Sequence, residues 1–232
     1  NILCSKDYKE TVKQMMQKES KSLLTPAALA FLDQVIRKTN IKSAIEIGTY
    51  YGGATKVIAN AIKGKGFLIT LDSNQDRKPS ILSEIKSWSK LTQETTIFLN
   101  FTSNEFFEVS KYRDEFSFDF CFIDGDHSYT GALSDIINCS RFAGPNCILV
   151  IDDANQPPVY TAVHDFLNLY PNWSEISGKF NTQNNIENTH PSLKGLPFLV
   201  LVGPKYYSIN NRPYSIYKEI KGTLDGIKID LK

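Results

Sequence analysis

Carboxylates recur in this sequence where apolar runs stop. Glu46 stands in "SAIEI", Asp72 closes "GFLITLD", Asp124 closes "FDFCFID", and Asp152 and Asp153 close "NCILVIDD". If these runs are neighbouring strands, the acids gather on one rim and repel each other unless a cation sits among them. Asp124, Asp152 and Asp153 offer hard oxygen ligands that suit Mg²⁺ or Ca²⁺ and leave positions for water and substrate. The plainer reading is that one of the last two caps a helix or a turn, as aspartates often do. Asp126 and His127 follow Asp124 directly, and either is a candidate base. His127 has the ordinary pKa nearer neutrality, and the residues alone do not choose between the two.

The loop "EIGTYYGGAT" has the form ExGxxxG, with Glu46, Gly48 and Gly52. It is not the GxGxxG of a dinucleotide loop, which brings backbone amides to a pyrophosphate. A carboxylate at the start of the loop repels phosphate and attracts an ammonium group. S-adenosylmethionine carries an ammonium and a sulfonium and no phosphate. Glycines let the backbone approach its methionine part, and Asp72, at the end of the next strand, can accept both ribose hydroxyls. Alone, the spacing also fits an ordinary strand–turn–helix junction; Asp72 is what turns it toward this cofactor.

The elements that must position these residues follow from periodicity. The spacing predicts an amphipathic helix over residues 6–24 and a second over 23–40, capped by Thr25 with Pro26 in its first turn. Strands and helices then alternate: strands at 43–47, 66–72, 95–101, 118–124, 146–153 and 197–204, and helices at 53–63, 80–91, 104–113, 129–142 and 159–170. "AGP", 143–145, reads as a turn, and the asparagine-rich stretch 178–196 as a long loop near the sheet's edge. Continuous apolar strands joined by helices imply a parallel sheet covered on both faces. With 232 residues, 41% of them hydrophobic, the chain suits one α/β domain. Within it, 1–40 supplies N-terminal helices, 41–170 the cofactor-binding core, and 171–232 a substrate-side loop, the last strand and a tail.

A net charge of +1 gives no basic surface for nucleic acid or anionic lipid. No apolar run is long enough to span a bilayer. The first ten residues lack the apolar stretch of a signal peptide, and the opening on Asn1 leaves room for a segment upstream. Cys4, Cys121, Cys139 and Cys147 form no CxxC pair. Cys121 and Cys147 read as core residues, and a reduced, cytoplasmic compartment is expected.

Taken together, "EIGTYYGGAT", "LITLDSN", "FDFCFIDGDHSY" and "ILVIDDAN" resemble class I S-adenosylmethionine-dependent O-methyltransferases, over about residues 25–167. "EIGTYYG" is similar to the cofactor loop of the catechol-type enzymes. "IDDANQPPVYTAVHDF" resembles macrocin-type sugar O-methyltransferases. The resemblance implies a Rossmann-like fold with a seven-stranded, mostly parallel sheet whose last strand, "FLVLVGP", is antiparallel. It implies cofactor contacts at Glu46, Gly48, Thr49, Tyr50, Gly52, Thr55, Asp72, Ser73, Thr102, Ser103 and Asp124. It supports a metal at Asp124, Asp152 and Asp153, and a base at Asp126, as in the sugar enzymes, or at His127, where the catechol enzymes have a lysine. Two positions depart from the family: Ala54 replaces a frequent serine, with Thr55 adjacent, and the third strand ends in "LNFTSN". Homodimers are common in the family, though no interface signature stands in this chain.

The expected activity is methyl transfer to a hydroxyl of a small molecule, a sugar or natural product first and a catechol-like phenol second, assisted by a divalent metal. The alternatives are metal-independent transfer to a phenol by His127 or Asp126, and a non-catalytic binding protein on the same fold. A nicotinamide oxidoreductase gives no reason for Glu46 or the Asp152–Asp153 pair. A nucleic-acid methyltransferase lacks a basic stripe. Trp88 reads as an anchor on its helix, His164 as structural, and His190 as solvated. Tyr160, Trp173 and Phe180 read as core or acceptor-pocket residues.

Overall fold

The computed structural model describes residues 5–17, 21–110, 117–177 and 196–203. The stretch 178–195, which holds Phe180 and His190, and the tail after 203 lie outside the described residues. The elements in chain order are α1 (Lys6–Met16), α2 (Pro26–Thr39), β1 (Ser43–Ile47), α3 (Gly53–Ile62), β2 (Phe67–Leu71), α4 (Lys78–Lys86) and α5 (Lys90–Thr95). Then come β3 (Thr96–Leu99), α6 (Ser103–Ser110), β4 (Phe118–Ile123), α7 (Tyr129–Arg141), β5 (Ala143–Ile151), α8 (Pro157–Leu169), β6 (Ser174–Glu175) and β7 (Leu199–Val202).

The strands form one seven-stranded sheet in the order β3-β2-β1-β4-β5-β7-β6. The first five are parallel, and β7 runs antiparallel to both β5 and β6. This is the expected Rossmann-like arrangement. Alternation along each strand divides the core in two. Ile45, Ile47, Ile69, Cys121, Ile123 and Leu149 face Phe106, Ile136, Val159 and Phe166 of α6, α7 and α8. Ala44, Leu68, Phe120, Phe122, Val150 and Val200 face Phe31, Leu32, Val57 and Ile58 of α2 and α3. Both faces being covered explains the unbroken apolar strands. The order reverses beside β1, so the crevice at the carboxyl ends of β1 and β4 is where such a sheet binds ligands.

Several boundaries differ from expectation, each for a local reason. The first helix stops at Met16, with Gln17 as its C-cap. The helix expected over 80–91 is two helices: Ser89 takes an extended conformation and its side chain accepts from Thr92 N, starting α5 afresh. "AGP" is not a turn but the start of β5. Ala143 pairs with Phe118, and the register shifts before Phe120 meets Ile148, with Asn146 at φ 61° absorbing the irregularity. The short β6 carried no periodic signal, since two residues cannot show one. Trp173 is buried against Phe166, in the core. Among the described residues, no helix is long and apolar enough to cross a membrane.

Phe198 ties the α2 side of the core to the antiparallel edge. It is fully buried, with ring centroids 5.8 Å from Phe31 and 5.9 Å from Phe122. Phe198→Ala is expected to lower unfolding stability by about 3–5 kcal/mol, read from the midpoint of urea denaturation.

Candidate functional site

A cavity of about 730 Å³ opens at the carboxyl ends of β1, β2 and β4, within the size range of small-molecule sites. Its lining includes Gly48, Thr49, Tyr50, Asp72, Ser73, Thr102, Ser103, Asp124, Asp126 and His127. Those ten positions were expected from the sequence. Glu46, Gly52, Thr55, Asp152 and Asp153 are not among the lining residues.

The β1 loop sets the floor. Gly48 N and Thr49 N both donate to Leu71 O, at 2.9 and 3.0 Å. Gly48 has φ +98°, and a Cβ there would lie 1.9 Å from the carbonyl oxygen of Asp124. Only glycine lets the end of β4 come this close. Gly53 serves a different contact: a Cβ there would lie 2.2 Å from Ser22 N. Residues 21–23 therefore cross over the loop and form one wall of the cavity.

Glu46 sits behind that floor. Strand alternation turns its side chain toward α3, beside its register partner Thr70. Its Oε2 accepts from Thr55 Oγ1 and Thr70 Oγ1, each at 2.6 Å, while Oε1 is buried without a partner among the described residues. Burial, only partly offset by the two threonine hydroxyls, pushes the carboxyl from 4.5 up to about 8. Thr55 thus holds Glu46 and does not border the cavity.

Asp72 is 5% exposed. Its Oδ2 accepts from Tyr50 N at 2.9 Å, and its Oδ1 accepts from Asn74 N at 2.9 Å with Arg77 Nη2 at 3.3 Å. The Arg77 guanidinium lies 5.3 Å from the centre of the Tyr50 ring, a cation–π contact. Gly52 packs against Trp88, whose indole donates to Glu84, so Trp88 is a structural anchor. Thr102 N and Oγ1 both donate to Glu105 Oε2 at 2.8 Å, opening α6.

At the end of β4, His127 stands between two carboxylates. Its Nε2 is 3.2 Å from Asp124 Oδ1 and its Nδ1 is 2.9 Å from Asp153 Oδ2. The bond to Asp124, with the charge of Asp153, raises the imidazole pKa against the opposing effect of burial. Burial also raises the Asp124 carboxyl, which His127 pulls back down. Ligand atoms of Asp124, His127 and Asp153 all lie within 4.8 Å of one another. In this group His127 takes the place that the sequence reading gave to Asp152. Asp152 is 6% exposed; its Oδ1 accepts from the Asp153 N–H at 2.8 Å, and burial beside Asp124 and Asp153 raises its pKa. Asp126 is exposed and holds the turn into α7, accepting from Ser128 N and Oγ at 2.9 Å each. His164 packs on Tyr160, ring centroids 4.2 Å apart, away from this group.

The sequence reading missed Arg77, residues 21–23 and Asp135 as lining residues. For Asp135 a signal existed: it is an acid among Ala132, Ile136 and Cys139 on the buried face of α7.

Residues 45–154 match a family model described as a methyltransferase domain. The match covers 110 of the 232 residues. The β1 loop, Asp72 and the Asp124–His127 turn fall inside it, while residues 21–23 and the antiparallel edge lie outside it. No curated protein matches the sequence. Among solved structures, the chain is similar to the O-methyltransferase from Bacillus cereus in complex with SAH, at TM-score 0.60 and 16% identity over 86% of this chain and 92% of that one. It is also similar to TomG from Streptomyces achromogenes, an O-methyltransferase involved in tomaymycin synthesis and solved with SAM, at TM-score 0.61 and 13% identity over 87% and 91%. At such identity the likeness is one of fold: the Rossmann-like class I methyltransferase fold expected from the sequence.

The buried Glu46 carboxyl gives a pH signature. A carboxyl whose folded pKa exceeds its unfolded one contributes its stability in full below about 4.5, and loses it as pH rises through about 8 for Glu46. Glu46→Gln removes that contribution. The variant is expected to lose less stability than the parent between pH 5 and 8, by at least about 1 kcal/mol, measured by denaturation at both pH values.

Proposed function

We propose that the protein transfers the methyl group of S-adenosylmethionine to a hydroxyl of a small molecule, a sugar or natural product, with a divalent cation assisting. The observation that carries this reading is the Asp124–His127–Asp153 group beside the cavity that Asp72 and the β1 loop border. On this reading Asp72 accepts the ribose hydroxyls, and the loop at Gly48 and Thr49 receives the methionine part.

The donor set fits a divalent ion: carboxylate oxygens of Asp124 and Asp153 lie within reach of one centre and would hold it, leaving the adjoining His127 ring as the base. When bound, such an ion supplies positive charge that orients the acceptor oxygen and lowers its pKa. The chain's own residues do the rest. Transfer is an in-line displacement, with the acceptor oxygen about 3 Å behind the methyl carbon. The carbon–oxygen bond forms as the carbon–sulfur bond breaks, leaving a neutral thioether. The hydroxyl proton goes to a ring nitrogen of His127. Geometry favours His127 over Asp126 as the base, because the Asp126 carboxylate is committed to the Ser128 turn. Burial of Asp124 beside the ring keeps the resulting imidazolium paired.

A second reading has its own observation. The His127 ring already spans Asp124 and Asp153 with both nitrogens. A protonated ring there offsets both acids, so His127 alone serves as base to a phenolic acceptor without metal.

Calorimetry with S-adenosylhomocysteine, in EDTA and then with Mg²⁺, separates the readings. Binding in EDTA, weakened at least tenfold in Asp72→Ala, and a separate Mg²⁺ heat lost in Asp153→Ala are the expected results. Binding with no metal heat supports the second reading. No binding overturns both. Once an acceptor is found, His127→Gln is expected to lower kcat by about 10²–10⁴-fold. In the parent, kcat/KM is expected to rise with pH through a value above 6.5, because the base must be unprotonated and its pKa is raised. A profile unchanged in the variant would remove His127 from the reaction.

A further inference from the structure

Three cysteines gather in the core, away from the acids. Cys121 stands on β4, Cys139 on α7 and Cys147 on β5, and none is exposed to solvent. All three are free thiols. Cys121 is the middle one: its Sγ lies 3.9 Å from Cys147 Sγ, and it is hydrogen-bonded with Cys139 as well. Cys121 precedes Asp124 on the same strand by roughly 10 Å, so this cluster is separate from the Asp124–His127–Asp153 group. Any small apolar residue fills core space, yet here sulfur faces sulfur from three different elements.

A disulfide does not suit the pair. The register partner of Cys121 is Leu149, so Cys147 is its diagonal neighbour on β5. The strand spacing and the rise per residue put such Cα atoms about 8 Å apart. A disulfide reaches no further than about 7 Å. A bridging metal spans what a direct bond cannot. With metal–sulfur bonds of about 2.3 Å, sulfurs 3.9 Å apart subtend an angle of about 116° at the metal. That angle lies between tetrahedral and trigonal and leaves room for a third ligand, which Cys139 stands beside Cys121 to supply.

Charge selects the ion. Phe118, Ile123, Ile136 and Leu149 belong to the same apolar cluster, where a net charge is costly. Burial raises the pKa of the Cys121 and Cys139 thiols, so an ion must displace protons to bind. A divalent ion with two thiolates leaves no net charge behind, and thiolates favour soft ions.

We propose that Cys121 and Cys147 bind a soft divalent cation as a neutral dithiolate, with the Cys139 thiol turning in as a third ligand. Both thiol protons leave to solvent as two metal–sulfur bonds form and the ion sheds its water. The ladder is already irregular beside Cys147, where Asn146 takes φ 61°, and this gives the ion its way in. The inference is independent of the cofactor reading.

The test titrates Hg²⁺ into the Cys4→Ala protein, which keeps only these three thiols, with excess Mg²⁺ to occupy the acid rim. The expected result is an ultraviolet thiolate-to-metal charge-transfer band that saturates at one ion per chain. Two protons should be released per ion at neutral pH, with the circular dichroism spectrum unchanged. Cys121→Ala and Cys147→Ala should each lose the saturating band and release one proton at most. Cys139→Ala should keep the two-proton release and bind more weakly. No band, fewer than two protons, or binding that comes only with loss of the circular dichroism signal overturns the inference. So does an unchanged titration in a folded Cys121→Ala. If the core variants do not fold, the band, the proton count and the circular dichroism of the Cys4→Ala protein still decide.

Discussion

Negative charge is crowded at one rim of this sheet, and much of the molecule is arranged around that fact. Glu46, Asp72, Asp135 and Asp152 are all buried, and Asp124 is half-buried. Burial disfavours Glu46, Asp124, Asp135 and Asp152 as anions, and neighbouring acids raise them further. The chain answers each one separately. Glu46 has two hydroxyls, Asp72 two backbone amides and Arg77, Asp135 a serine, and Asp124 an imidazole. These answers are partial, and the raised pKa values measure what is left over. On the proposed reading, a ligand bearing a sulfonium and an ammonium, or a divalent ion, would complete them. The same crowding that costs stability would attract a cationic ligand.

Much of the fold was legible because parallel strands buried on both faces read as unbroken apolar runs. "SAIEI", "FLITL" and "FDFCFI" could be little else, and the acids after the last two, Asp72 and Asp124, mark the rim. The boundaries that escaped depend on single side chains. Ser89 restarts a helix, and Asn146 bends a strand through a positive φ. Neither residue type announces its conformation from sequence, because asparagine and serine serve many turns equally.

The site was legible in its composition and less so in its geometry. Consecutive aspartates at 152 and 153 suggested two ligands side by side. The strand ends at Ile151 and Asp153 turns through a φ of 51°, so the two side chains part: Asp152 binds the backbone N–H of Asp153 while Asp153 reaches His127. Glu46 was expected to meet the cofactor, yet its even position in β1 places it under α3, with Ala44 of the same strand on that face. The acid that a strand pattern cannot reveal is Asp135, because it belongs to a helix and reaches the rim only through the packing of α7 against the sheet.

The contact between Ser22 and Gly53 has a bearing on what counts as the unit of this protein. A wall of the cavity comes from residues 21–23, and the buried face of α2 supports α3 from beneath. The family match encloses the residues that carry the chemistry, yet its borders cut through the enclosure that keeps them from water. A fragment trimmed to those borders would hold the reactive groups in an open trough. Here the unit of homology and the unit of enclosure differ by one wall: most of the lining lies inside the match, and residues 21–23 close one side from outside it.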